Sequence, residues 1–121
     1  MHRCIVVRGP TLSYPNHEFD DEIYEAAQLG RLTPRQQRRI YDTDIIVRAR
    51  RRSTGGTVYI PVEISYVLDI SDTERVSQSA DFLRVVFPSD EVMPMVYGPN
   101  ITQGAVADAE RKGITVFQRD Q

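Results

Sequence analysis

The sequence predicts an α/β domain: a mixed β-sheet flanked by helices, in which a hairpin is followed by a β-α-β-α-β run. Three observations predict it. Residues 43–50 and 57–65 are two β-rich segments separated by Ser53, Thr54, Gly55 and Gly56, the turn chemistry of a hairpin. From Thr57 onward strands alternate with helix-period segments, and parallel strands joined through helices need crossovers of the right-handed kind. The 121 residues are 40% hydrophobic and 26% charged, which is enough for one core and too apolar for long disorder. One domain over residues 1–121 is therefore expected, with residues 1–18 as an arm of strand and loop.

The elements follow in order. Residues 4–7 are a short β-branched run, read as a strand, and Gly9, Pro10, Tyr14, Pro15 and Asn16 punctuate a loop. Residues 19–29 read as a helix: Asp20, Asp21 and Glu22 suit its positive N-terminal end, Ile23, Ala26, Ala27 and Leu29 form its apolar stripe, and Gly30 sits where it stops. Thr33 caps a second helix, with Pro34 at its first position, running to about Ile40. In the returning hairpin strand Val58, Ile60, Val62 and Ile64 share one face and Tyr59, Pro61, Glu63 and Ser65 the other. Pro61 cannot donate to a ladder, which implies a bulge or a locally unpaired position. Ser71 and Glu74 match a capping box that starts a third helix, with Val76, Ala80, Leu83 and Phe87 on its apolar face and Pro88 at its end. Residues 92–97 read as a strand made irregular by Pro94. Asn100 or Thr102 caps a fourth helix with Ala105, Val106 and Ala109 inward, Gly113 ends it, and residues 114–117 are a last strand.

Charge and composition exclude several classes. The longest apolar runs fall short of the ~20 residues a membrane helix needs. Arg8 and Gly9 interrupt the stretch that a signal peptide keeps apolar, and the single cysteine, Cys4, forms neither an internal disulfide nor a Cys-rich zinc site, so a cytoplasmic protein without a membrane partner is expected. The formal net charge of -2 gives no global basic field. The 15 basic residues are arginines apart from Lys112, and Arg35, Arg38, Arg39, Arg48, Arg50, Arg51 and Arg52 lie close together in the chain. That cluster reads either as a solvated helix face and hairpin tip or as a phosphate-contact surface, since the guanidinium fork binds phosphate through two parallel hydrogen bonds. Tyr24, Tyr41, Tyr59, Tyr66 and Tyr97 read as core edges or as platforms for stacked bases.

The hairpin brings acidic chemistry together. With the turn centred between Thr54 and Gly55, Asp44 faces Ser65, and a slip of two residues sets Asp44 against Glu63. Either way a carboxylate from each strand reaches the same end of the hairpin, with Cβ atoms roughly 4.5–5.5 Å apart when directly opposed and roughly 7–8 Å on the diagonal. Two such carboxylates repel unless a divalent cation, Mg²⁺ or Mn²⁺ in its place, sits between them. Other readings stand beside this one. Asp44 also reads as a turn residue after the second helix, Glu63 as the partner of Arg48 in a salt bridge, Ser65 and Asp69 as strand end and loop, and Gln78 as an exposed helix residue.

Asp44-Ile45-Ile46-Val47 followed by Val62-Glu63-Ile64-Ser65, with a helix over residues 71–87 and a strand over 92–97 after them, resembles the core of the PD-(D/E)XK nuclease superfamily. The resemblance runs from about Glu22 to Phe117 and implies a restriction endonuclease-like core. It implies Asp44 and Glu63 as ligands of Mg²⁺, with the Ile64 carbonyl as a third oxygen. Glu22 or Glu25 would be the acidic residue some members carry on the first helix, and Gln78 a helix residue of the site. Ser65 stands where the family places lysine, and Lys112, near the end of the fourth helix, is a poor substitute, so positive charge falls to Arg48 or Arg75, with Arg48, Arg50 and Arg75 as phosphate contacts. The functional expectation is a divergent metal-dependent nuclease-like protein that cuts or merely binds nucleic acid. The alternative is a non-catalytic homodimeric interaction or regulatory module of the same fold.

Overall fold

The computed structural model describes residues 4–6 and 17–118, with side chains over residues 19–118. The expected end of the first strand at Val7 and the loop around Gly9, Pro10, Tyr14, Pro15 and Asn16 lie outside the described residues. Strand β1 (Cys4–Val6) pairs antiparallel with β2 (Ile45–Arg51), which pairs antiparallel with β3 (Thr57–Ile64). Strand β3 is then followed by parallel neighbours: β6 (Met95–Gly98) beside β3, and β8 (Thr115–Gln118) beside β6, in the order β1-β2-β3-β6-β8. The two parallel steps are made through helix α3 (Ile70–Val86) and helix α4 (Gln103–Lys112). This is the predicted hairpin joined to β-α-β-α-β.

Helices gather on one side of the sheet. Tyr59 and Val92 pack with Phe19, Ile23 and Ala26 of α1 (His17–Gln28), with Ile40 of α2 (Pro34–Tyr41), and with Ala80, Leu83 and Val86 of α3. Val96 packs with Val76 of α3 and Ala109 of α4. The alternate residues Ala49, Val58, Ile60 and Val62, with Val47, Met95 and Tyr97, form an apolar layer on the opposite face to which no described helix contributes. The period-two partition of β3 is as expected. The helices anticipated on the faces of the sheet all occupy, among the described residues, the face that carries Tyr59 and Glu63.

Local chemistry explains the boundaries and the departures. Thr33 accepts from Gln36 N and Gln36 returns to Thr33 N, a full capping box ahead of Pro34. Gly30 turns with φ 78° after α1 and leaves Leu29 exposed instead of in the buried stripe. Helix α3 is capped not by Ser71 and Glu74 but by Asp69 and Asp72. Asp69 accepts from Ser71 N and Asp72 N, and Asp72 accepts from Asp69 N. A carboxylate at this end also meets the positive pole of the helix. Donation by the Ser71 hydroxyl, more than by the backbone, holds the Asp69 carboxyl below its ordinary range. Thr102 caps α4 and Gly113 ends it. Val106 is exposed, because the buried stripe runs through Ala105, Asp108 and Ala109.

The strand expected over residues 92–97 is split at Pro94 into β5 (Glu91–Val92) and β6, both parallel to β3. Pro61 lies opposite that break, between Tyr59, which pairs Val92, and Val62, which pairs Met95, while the pairing with β2 continues through it without a bulge. A missing donor is thus placed where no neighbour asks for one. A second, two-stranded sheet, β4 (Val67–Leu68) with β7 (Asn100–Ile101), was not expected.

Asp108 ties α4 to α3. It is buried, accepts from the Thr73 hydroxyl at 2.7 Å, and is met by Arg111 and by Lys112 Nζ at 3.0 Å. The Thr73 hydrogen bond, then the Lys112 and Arg111 charges, hold its carboxyl below the ordinary range. A depressed pKa stabilises the fold above the unfolded value, about 3.9, and the benefit is lost as pH falls through the folded value. Asp108→Asn is therefore expected to lower the melting temperature at pH 7, with the gap to wild type narrowing in acid. Thermal melts across a pH series check this.

Candidate active site at the base of the hairpin

The register settles where the two acidic residues stand. Ile45 pairs with Val62, so one step further along both strands sets Asp44 against Glu63, the slipped alternative of the two. Asp44 is exposed, and its Oδ2 accepts from Ile64 N at 2.8 Å, extending the ladder with a side chain. Glu63 points to the helical side and is 3% exposed. Its Oε1 lies 3.4 Å from Arg75 Nε and its Oε2 3.5 Å from Arg39 NH2. These are long contacts. Among the described residues, Oε2 is buried with no hydrogen-bond donor, and Arg39 Nε is buried with no acceptor. A buried carboxylate oxygen left without a donor is costly. Burial, then the negative charge of Asp44, pushes the Glu63 carboxyl above its ordinary range against the opposing pull of Arg75 and Arg39.

The other predicted residues separate into near and far. Arg75 is at the site, where it also pairs with Asp72 and contacts the Ser71 hydroxyl at 3.4 Å. Ser65 follows Glu63 at the end of β3, with its hydroxyl donating to Val67 O at 2.9 Å and its N–H donating to Tyr97 O at 3.2 Å. Gln78 is an exposed residue of α3. Arg48 does not bridge to Glu63. It stands opposite Tyr59, four residues along β3, roughly 13 Å at ~3.3 Å per residue. Arg50 pairs with Thr57 near the turn, farther still. Glu22 belongs with Arg48, Tyr59 and Asp90 around a separate cavity of about 440 Å³, not with the acidic pair. Burial raises the Tyr59 pKa there, against its hydrogen bond with Arg48. Tyr24, Tyr41 and Tyr66 are exposed, whereas Tyr97 meets Phe117 edge-on at 5.0 Å. Lys112 is engaged by Asp108.

Arg39 is the site residue that the sequence did not single out. Its only signal was membership of the arginine-rich stretch. It comes from the last turn of α2, and Thr43, one turn on, donates to Arg39 O and shares a 2.8 Å hydroxyl contact with Ser79 of α3. That buried contact fixes the chain between α2 and β2, and with it Asp44. Gly98 fixes the other side: a Cβ there would stand 2.0 Å from Ser65 O.

Two carboxylates, one with an oxygen that no donor among the described residues reaches, suit Mg²⁺, which binds through one or two carboxylates and keeps waters or phosphate oxygens for the rest of its shell. Among the described residues no group of three or more His, Cys, Asp or Glu side chains converges in a way that would hold a metal.

No family model and no curated protein matches the chain in sequence. Solved structures do match in fold. A repair endonuclease from Pyrococcus abyssi superposes with a TM-score of 0.50 and 19% identity over 63% of this chain and 33% of its own. EndoMS in an EndoMS–dsDNA2 complex gives 0.50 and 20% over 65% and 32%. EndoMS in its apo form gives 0.50 and 18% over 64% and 32%. The chain thus spans about a third of the length of each. The likeness shows a mixed α/β fold with a restriction endonuclease-like core. No described helix is long and apolar enough to cross a membrane.

Two expectations follow from this geometry. A raised pKa means that ionised Glu63 costs stability once pH exceeds the folded value, a cost that vanishes below the unfolded value near ~4.3. Glu63→Gln should therefore stabilise the fold at pH 7 by on the order of 1 kcal/mol, with the advantage disappearing in acid, as urea unfolding at several pH values will show. Gly98→Ala should cost about 1–3 kcal/mol through overpacking, measured the same way.

Proposed function

We propose that the chain is a divergent PD-(D/E)XK-type phosphodiesterase that acts on DNA with a divalent cation held by Asp44 and Glu63. One observation carries this reading: Glu63 is buried beside Asp44 with an oxygen that no donor among the described residues reaches. A buried acid with one oxygen left over, set beside a second acid, is the kind of arrangement that a bound ligand completes. The fold shared with a repair endonuclease and with EndoMS, one structure of which is named as a dsDNA complex, supports DNA as the polymer.

The residues divide the work by position. Asp44, fixed by Ile64 N, and Glu63 would hold Mg²⁺, whose chemistry is to activate water and neutralise charge growing on the phosphate. Arg75 lies beside Glu63 and supplies positive charge that Ser65 lacks. Ser65 donates to Val67 O, which makes it a strand-end residue more than a participant. Gln78, exposed on α3, and Arg48 and Arg50, along the hairpin, are proposed contacts for more distant parts of the polymer. Arginine holds its proton, so it orients and neutralises without acting as a base.

That Ser65 is committed to the backbone favours a second reading, in which the same site binds DNA without cutting it, in a homodimeric regulatory module. Calorimetric titration with Mn²⁺ tests the shared core. Wild type is expected to release or take up heat, and Asp44→Asn and Glu63→Ala to give none. No heat from wild type removes both the metal site and the phosphodiesterase reading. Cleavage of duplex DNA in Mn²⁺, lost in Asp44→Asn, separates the first reading from the second.

A further inference from the structure

Arg39 and Arg75 meet the same carboxylate but are held differently. Arg75, with its side chain 40% exposed, is anchored on its own helix by Asp72 and Ser71 in addition to Glu63. Arg39, 18% exposed, has Glu63 as its one ion-pair partner among the described residues, and that at 3.5 Å without hydrogen-bond geometry. Its Nε is buried and has no acceptor among the described residues. Arg39 thus makes no side-chain hydrogen bond among the described residues, while the charge that would attract phosphate is offset by Glu63.

We propose that Arg39 is a phosphate-contact residue held in reserve by Glu63, and that a cation bound at Asp44 and Glu63 frees it to engage the DNA backbone. The inference rests on the metal-site reading above, and adds a coupling between two ligands. A cation takes the charge of Glu63 for itself, and Arg39 then lacks a counterion in a partly buried place. A phosphodiester oxygen supplies one. By linkage, cation raises DNA affinity and DNA raises cation affinity by the same factor. Arg75, kept by Asp72, remains where it is throughout.

The coupling has a metal-free test. In Glu63→Gln the cancelling charge is gone, so Arg39 is available without any cation. Binding of a fluorescein-labelled DNA duplex is measured by fluorescence anisotropy in EDTA at fixed salt, with folding checked by circular dichroism. Asp81→Asn, which removes an equal charge from the exposed Asp81–Arg84 pair on α3, serves as control. Glu63→Gln is expected to bind roughly tenfold tighter than wild type and clearly tighter than Asp81→Asn. Adding Arg39→Ala to Glu63→Gln should return the affinity to the wild-type level. Wild type should gain affinity when Mn²⁺ replaces EDTA, and Arg39→Ala alone should not.

The proposal is overturned if Glu63→Gln binds no tighter than Asp81→Asn, or if the double variant keeps the gain. It is overturned equally if calorimetry shows Mn²⁺ bound and wild-type DNA affinity does not change. Absence of Mn²⁺ binding alone would defeat the metal reading and leave the EDTA comparison to decide the role of Arg39.

Discussion

Pairing of Ile45 with Val62 is the constraint on which the site depends. Side chains on a strand alternate, so a one-residue slip would carry Glu63 from the helical face to the apolar layer of Ile60 and Val62. The register is held by more than the turn. Asp44 caps the end of the ladder through Ile64 N, and the contact of Thr43 with Ser79 pins the entry to β2 against α3. Once those hold, two acids of adjacent strands cannot avoid each other.

What surrounds Glu63 is a compromise between attraction and access. Direct 2.8 Å hydrogen bonds from two arginines would bury the charge comfortably and close the position to anything else. The observed contacts are longer, and one oxygen is left over. Elsewhere in the same molecule a buried acid is treated in the opposite way: Asp108 accepts from Thr73 at close range and is flanked by Arg111 and Lys112. One carboxylate is fully paired and the other is not, a contrast that fits the ligand-binding role proposed for Glu63.

Much of this was legible in the residues. The turn at Ser53–Gly56 and the β-branched strands beside it declared the hairpin, and with it the meeting of Asp44 and Glu63. Gly30, Thr33 and Gly113 declared helix ends because their local chemistry admits few alternatives. The rest was hidden for identifiable reasons. Asp69 and Asp72 overlap with Ser71 and Glu74 as rival caps two residues apart, and the pattern alone does not rank a carboxylate over a hydroxyl. The β4–β7 pair is two residues long on each side, below any periodicity. Glu63 announces that it needs a cation, but with 14 arginines in the chain nothing in one dimension says that Arg39, from a helix earlier in the fold, is among those that arrive. Val106 looked inward because it is apolar; burying Asp108 instead required Thr73, 35 positions away, to be its donor.

Gly98 gives the architecture a mechanical property. With no side chain between them, the backbone after β3 rests directly on that of β6. There is no soft layer of rotamers there to absorb a displacement. Any shift of the tripeptide that carries Glu63 must push on β6, and through its ladder on β8 at the sheet margin, where Tyr97 and Phe117 lie edge to face.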